Sequence, residues 1–267
     1  MTDTPTRAPG NFCWVDLGAH DAEAARRFYT AFFGWTAEDS QYGPSEGDVY
    51  TTYRLDGRAV AASYPMDAEQ KAMGMPSSWL SYVAVEDADA SAAKAKELGA
   101  TLLAEPFDVM EVGRMALVQD PTGALFALWQ AGTHPGFGVR GDPGSLGWNE
   151  LTTNDIAKAR DFYTGLFGWR TDVMNVGMEY TVFLGDAGPL AGAYALTPEM
   201  EGMPVCWMPY FGVEDPDAMA ARATSLGATV MMEPADIPGV GRFAMIRDPQ
   251  GATFYIMRFD PPAGKGD

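Results

Sequence analysis

Two carboxylates in this chain stand in a pattern that could do chemistry. Asp16 lies two residues after Trp14, and Glu150 lies two residues after Trp148. In an extended strand, residues two apart share a face, so each carboxylate sits beside an indole. An indole wall excludes water, favours the protonated carboxyl and suits it to general acid or base work. Asp16 and Glu150 are therefore the candidate catalytic residues. The plainer alternative is that each caps backbone groups or pairs with an arginine such as Arg114 or Arg242. Those two arginines each follow a glycine at a strand start and read mainly as partners of protein carboxylates. The chain has only two histidines, His20 and His134, and two cysteines, Cys13 and Cys206. That histidine count excludes a His-rich metal site and limits any Ser-His-Asp arrangement. His20 precedes a helix start and reads as a surface or capping residue. His134 falls in a Gly- and Pro-rich stretch and reads as solvated. The cysteines sit in apolar surroundings at unrelated places, as inert thiols rather than a disulfide.

The elements that position these groups come in duplicate. Phe28-Tyr-Thr-Ala-Phe-Phe-Gly-Trp35 recurs as Phe162-Tyr-Thr-Gly-Leu-Phe-Gly-Trp169, an offset of 134 (162 − 28). Tyr50-Thr51 recurs as Tyr180-Thr181, an offset of 130 (180 − 50). Gly74-Met-Pro-Ser-Ser-Trp79 and Val112-Gly-Arg through Asp120-Pro-Thr-Gly123 recur at an offset of 128 (202 − 74; 240 − 112). The shrinking offset means shorter loops in the second copy. The expected layout is a first module over 1–130, a Gly/Pro-rich linker over 131–146 and a second module over 147–267. Within the first copy, strands are expected at Phe12–Gly18, Trp35–Glu38, Val49–Leu55 and Ala59–Tyr64. A helix starts from the N-cap Asp21 and ends at Gly34. Trp79–Val85 begins the same order again, with a helix opening at Glu86-Asp87 and strands near Thr101–Ala104, Arg114–Gln119 and Ala124–Gln130. Each copy thus holds β-α-β-β-β twice, four such units in the chain, which is an α+β layout with mixed sheets. Trp35 and Trp169, after an apolar helix, read as core anchors. Met66, Met73, Met75, Met200 and Met203 read equally as a lip over a ligand or as ordinary packing.

Composition narrows the partners. The 267 residues fit two domains of ordinary size, and 47% apolar with 20% charged residues is typical of a globular chain. Eighteen basic against 36 acidic residues leave a formal charge of −18. Such a surface repels phosphate backbones and anionic lipid heads, so no nucleic acid and no membrane partner is expected. No apolar run is long enough to span a bilayer and no targeting segment is read at the start, so the expected location is cytoplasmic.

The ordered set of marks resembles the vicinal oxygen chelate superfamily, which includes glyoxalase I, extradiol dioxygenases and bleomycin-resistance proteins. The marks are a helix ending Phe-Tyr-x-x-x-Phe-Gly-Trp, the half-way segment Ser81-Tyr-Val-Ala-Val-Glu-Asp87, and Asp-Pro-x-Gly before a final strand. Within that superfamily the chain looks similar to two-module actinobacterial proteins labelled glyoxalase-like or hydroxylase, some from aromatic polyketide pathways. The resemblance implies that paired βαβββ units curl a sheet around a ligand cup, giving two cups. It also implies metal-ligand positions on three strands of each copy. Here they hold Trp14, Leu80 and Ala127 in the first copy, and Trp148, Met208 and Tyr255 in the second. None is a good ligand for a hard or borderline divalent ion. No metal and no other cofactor is therefore expected. If those positions face the cup, so do Asp16 and Glu150, and the ligand-binding surface includes Trp14, Tyr82, Trp129, Trp148, Met208, Tyr210 and Tyr255. That lining suits a flat, mostly apolar molecule. The expected function is metal-independent binding of a hydrophobic, aromatic secondary metabolite or antibiotic. The alternative is a metal-free tailoring enzyme that hydroxylates, opens a ring or transfers a proton through Asp16 and Glu150. How the modules pair is open: each with itself, with its sibling, or with a second chain as a homodimer.

Overall fold

The computed structural model describes residues 8–42, 47–175, 177–200 and 202–260. The first copy runs β1 (Phe12–Ala19), α1 (Ala22–Phe33), β2 (Thr36–Gln41), β3 (Val49–Leu55), β4 (Arg58–Pro65) and α2 (Ala68–Ala72). It continues with β5 (Ser78–Ala84), α3 (Ala88–Glu97), β6 (Thr101–Val109), β7 (Gly113–Gln119) and β8 (Leu125–Ala131). The second copy follows with β9 (Leu146–Thr153), α4 (Ile156–Phe167), β10 (Arg170–Asn175), β11 (Glu179–Gly185) and β12 (Gly188–Ala195). Its second half is β13 (Cys206–Gly212), α5 (Pro216–Ser225), β14 (Thr229–Ile237), β15 (Gly241–Arg247) and β16 (Thr253–Phe259). Each copy forms one eight-stranded mixed sheet, in the orders β2-β3-β4-β1-β5-β8-β7-β6 and β10-β11-β12-β9-β13-β16-β15-β14.

Local chemistry explains the boundaries. Asp21, Asp87, Asp155 and Asp215 cap α1, α3, α4 and α5, each accepting a backbone N–H three residues on. Gly34 ends α1 in the left-handed conformation, φ 75°, as Gly168 ends α4, φ 71°. Asp56 and Gly57 both have positive φ, 49° and 77°, the two-residue turn that matches strand twist between β3 and β4. Two features depart from expectation. β6 runs five residues beyond Ala104 despite Pro106, because it is the end strand of its sheet and its pairing shifts register on either side of Ala104. The short helix α2, with its Asp67–Gln70 capping box, was not expected; in the second copy a single 3-10 turn at Pro198–Met200 takes its place.

Packing groups the halves across the repeat. One compact unit joins the described residues up to Val15 with Leu80–Phe137 and Trp148–Met208; the other joins Asp16–Trp79, Gly138–Gly147 and the described residues from Pro209 on. In the first unit, Ala92 and Ala95 of α3 and Phe162, Tyr163 and Leu166 of α4 share one buried cluster with Phe126, Phe183 and Trp207. At its centre, the Tyr163 hydroxyl donates to Asp120 Oδ2 (2.8 Å) and accepts from Trp207 Nε1 (2.8 Å). Asp120 Oδ1 meanwhile accepts from Thr122 N, Gly123 N, Ala124 N and the Thr122 hydroxyl, closing the Asp-Pro-x-Gly turn. The second unit repeats this: Tyr29 donates to Asp248 Oδ2 (2.9 Å) and accepts from Trp79 Nε1 (3.2 Å). Trp169 and Trp35 are the expected anchors, buried and donating to Gly10 O and Gly144 O respectively, both at 2.8 Å.

Burial pushes the Tyr29 and Tyr163 phenols far up, with the charge of the partner aspartate adding to it, so both stay protonated donors. Tyr163→Phe leaves a buried carboxylate oxygen and an indole N–H short of a partner. It should cost about 2–3 kcal/mol in urea unfolding, and Tyr29→Phe a similar amount. The two pairs share no partner, so the double variant should be close to additive. Losses below about 0.5 kcal/mol would contradict this account of the core. Burial also holds the Asp248 carboxyl above its usual range, against the pull of its hydrogen bonds. A raised folded pKa adds stability below the unfolded value, about 3.9, that is lost as pH rises through the folded one. As pH rises above about 3.9, wild type should therefore lose stability relative to Asp248→Asn until the folded carboxyl has ionised. Equal pH slopes for the two proteins would contradict the raised carboxyl.

Candidate functional site

Glu150 lies on β9 opposite Gly192 of β12, and Gly192 lies opposite Val182 of β11. Tyr180, two residues before Val182, shares that face. Its hydroxyl donates to Glu150 Oε2 (2.8 Å) and accepts from Trp148 Nε1 (3.0 Å). The close approach of Tyr180 depends on Gly192, because a Cβ there would collide with the Tyr180 hydroxyl and displace it. Burial, and then the charge of Glu150, pushes the Tyr180 phenol far above its ordinary range. Tyr180 is thus a fixed donor and not a phenolate base. Trp148 is half-buried and Glu150 is 7% exposed.

The first copy has a matching carboxylate–phenol pair with different fittings. Asp16 of β1 lies opposite Ala62 of β4, which lies opposite Thr52 of β3. Tyr50 reaches along that face and donates to Asp16 Oδ2 (3.1 Å). Burial raises the Tyr64 phenol, with Asp16 as the leading charge. The Tyr64 hydroxyl lies over Gly18, the next residue on Asp16's face. Asp16 is 2% exposed. Tyr50 and Tyr180 were not singled out as site residues, although the repeat of Tyr50-Thr51 as Tyr180-Thr181 was the signal that could have found them.

The aromatic candidates of the first copy are linked through His134, which meets both Trp14 and Trp129. Tyr82 and Trp129 meet edge to face at 6.1 Å, on the paired strands β5 and β8. Trp14 packs against His134 and Phe137. Tyr210 and Tyr255 stack at 4.2 Å across β13 and β16, with Phe243 at 5.9 Å from Tyr255. Met208 is buried.

Several expectations need correction. Neither arginine pairs with Asp16 or Glu150 in the structure: Arg114 clamps Asp89 and Asp108, and Arg242 clamps Asp217 and Asp236. Each arginine thereby ties the first turn of a helix to a sheet-edge hairpin. His134 is not solvated; it is half-buried, with its ring 4.6 Å from Trp14 and 5.8 Å from Trp129. His20 is exposed, with Nε2 2.7 Å from Met75 O. The Cys206 thiol is pushed up by burial, as an inert thiol should be. Met66 is buried and Met73 exposed, so the methionines do not act as one group.

The donor set does not fit a divalent metal. The implied positions carry indole, alkyl, thioether and phenol groups, and each nearby carboxylate already accepts a tyrosine hydroxyl. Among the described residues, no three of His, Cys, Asp and Glu gather in a metal-holding group. No described helix is long and apolar enough to cross a membrane.

Comparison with known proteins agrees with this architecture. "Putative glyoxylase CFP32" of Mycobacterium tuberculosis is 42% identical over 250 residues, 93% of this chain and 94% of the relative. "Anthracycline biosynthesis protein DnrV" of Streptomyces peucetius is 40% identical over 273 residues, 97% of this chain and 98% of the relative. Among solved structures, the Mn(II)-bound glyoxalase from Novosphingobium aromaticivorans superposes with a TM-score of 0.63 at 15% identity, covering 96% of this chain and 86% of that one. The 2,3-dioxygenase LapB from Pseudomonas sp. KL28 superposes at 0.64 with 13% identity, covering 96% and 95%. Identities that low speak for the fold alone. The family profile matches residues 12–128 and 145–256, one match for each copy, and the chain belongs to the Glyoxalase/Bleomycin resistance protein/Dioxygenase superfamily.

Proposed function

We propose that the chain binds a flat, mostly apolar aromatic metabolite, of the aromatic polyketide type, without a metal ion. The observation that carries this reading is the pair Glu150–Tyr180 beside Trp148, on the sheet face where metal ligands would stand. An indole and a phenol offer ring surface, and the carboxylate offers an acceptor for a ligand hydroxyl. The 40% identity to an anthracycline biosynthesis protein supports a polycyclic aromatic ligand. The donor set at the metal positions supports independence from a metal.

A second reading, a metal-free tailoring enzyme, is favoured by the same carboxylate–phenol pairs. Proton transfer is the chemistry they perform unaided. The carboxylate takes a proton from an acidic ligand C–H or O–H, and the phenol, held protonated, steadies the carboxylate in place. Glu150→Gln and Asp16→Asn should abolish such turnover while leaving binding measurable; full turnover in both variants would remove these residues from any reaction.

The binding reading is tested by quenching of tryptophan emission with an anthracycline such as daunorubicin. Saturable quenching is expected in wild type. Tyr180→Phe should weaken it about tenfold, on the order of 1.4 kcal/mol, through loss of the hydroxyl that orients Glu150. Gly192→Ala should weaken it to a similar degree by driving Tyr180 off Glu150. No saturable quenching by daunorubicin or other aromatic polyketides would overturn the reading.

A further inference from the structure

The stretch after β8, expected to be a linker carrying a solvated His134, is hydrogen-bonded to neighbouring residues. His134 N donates to Val112 O (3.0 Å), Trp129 Nε1 donates to His134 O (3.1 Å), and Phe137 N donates to Cys13 O (2.9 Å). Gly136 makes the last contact attainable: its φ is 99°, and a Cβ there would strike the Cys13 carbonyl. These bonds lay two rings on the Trp14 indole. The imidazole stands perpendicular to it, centroids 4.6 Å apart and planes at 83°, and the Phe137 ring lies at 5.4 Å. The imidazole also meets Trp129 edge-on at 5.8 Å. Trp14, Trp129 and Tyr82 are left only 2%, 5% and 6% exposed. An edge-on ring at this distance is how an aromatic ligand would sit on an indole. Trp148, the second copy's counterpart of Trp14, is half-buried and is held through its N–H by Tyr180.

We infer that the first copy's aromatic surface is occupied in cis by His134 and Phe137, so the chain takes one flat aromatic ligand rather than two. That ligand sits at Trp148, Tyr180 and Glu150. The inference rests on the proposed aromatic-binding function for the ligand count, and on geometry alone for the occupancy of Trp14. His134 is then a residue that sets ligand number.

Two measurements separate these parts. Acrylamide quenching is compared between wild type and His134→Ala, each with and without Trp14→Phe, so that the difference isolates Trp14 emission. Trp14 should be shielded in wild type and severalfold more quenchable once the imidazole is gone. Trp129→Phe, which removes the anchor of the His134 carbonyl without opening a hole at His134, should loosen the shield in the same direction. A Trp14 already accessible in wild type overturns the occupancy. Calorimetric titration with daunorubicin should give one site per chain in wild type and two in His134→Ala. Two sites in wild type overturn the inference while leaving the binding function intact. Absence of binding in both proteins overturns the binding function, and the acrylamide result then decides the occupancy by itself.

Discussion

The structure depends on two buried hydrogen bonds that link a helix of one repeat to a turn of the other. Tyr163 of the second copy donates to Asp120 of the first, and Tyr29 of the first donates to Asp248 of the second. Each phenol also receives an indole N–H, and each aspartate also gathers the backbone N–H groups of its own turn. Neither copy satisfies these groups alone. A buried phenol or carboxylate left unpaired costs about 1–3 kcal/mol, so the two copies are bound to one another chemically as well as by apolar packing. The unit of repetition is therefore not the unit of packing: each compact unit combines halves of both copies.

Strand alternation sends Thr181 and Phe183 to the buried helix side and Tyr180 to the face of Glu150. In the first copy Tyr53 and Ser63 bond to each other in the core, while Tyr50 turns to Asp16. The two carboxylate–phenol pairs come from duplication, yet they differ in fittings. Gly192 lets Tyr180 lie tight across β12, whereas Ala62 stands at the matching place in the first copy and the hydrogen bond is longer, 3.1 against 2.8 Å.

Much of this was legible in the sequence, because short-range signals carry it. Asp21 and Gly34 bound α1, Asp56-Gly57 turns β3 into β4, and the ordered repeats give the four βαβββ units and the superfamily. The carboxylates Asp16 and Glu150 were singled out because each stands two residues after a tryptophan. Their phenol partners were not, since Tyr180 meets Glu150 only through the register of β9, β12 and β11, which no local pattern encodes. The same holds for Arg114: its glycine-led strand start was plain, but its partners Asp89 and Asp108 come together only in the fold. His134 was misjudged because Gly and Pro neighbours suggest a solvated loop, while two specific hydrogen bonds and two indoles hold it in place.

The central claim, an aromatic ligand held without a metal on a chelate-type fold, is tested most directly by calorimetric titration of chelator-treated protein with daunorubicin, before and after Mn(II) is added back. The account predicts saturable binding in the stripped protein, with an affinity that Mn(II) leaves unchanged. Binding that appears only after Mn(II) is restored would contradict it.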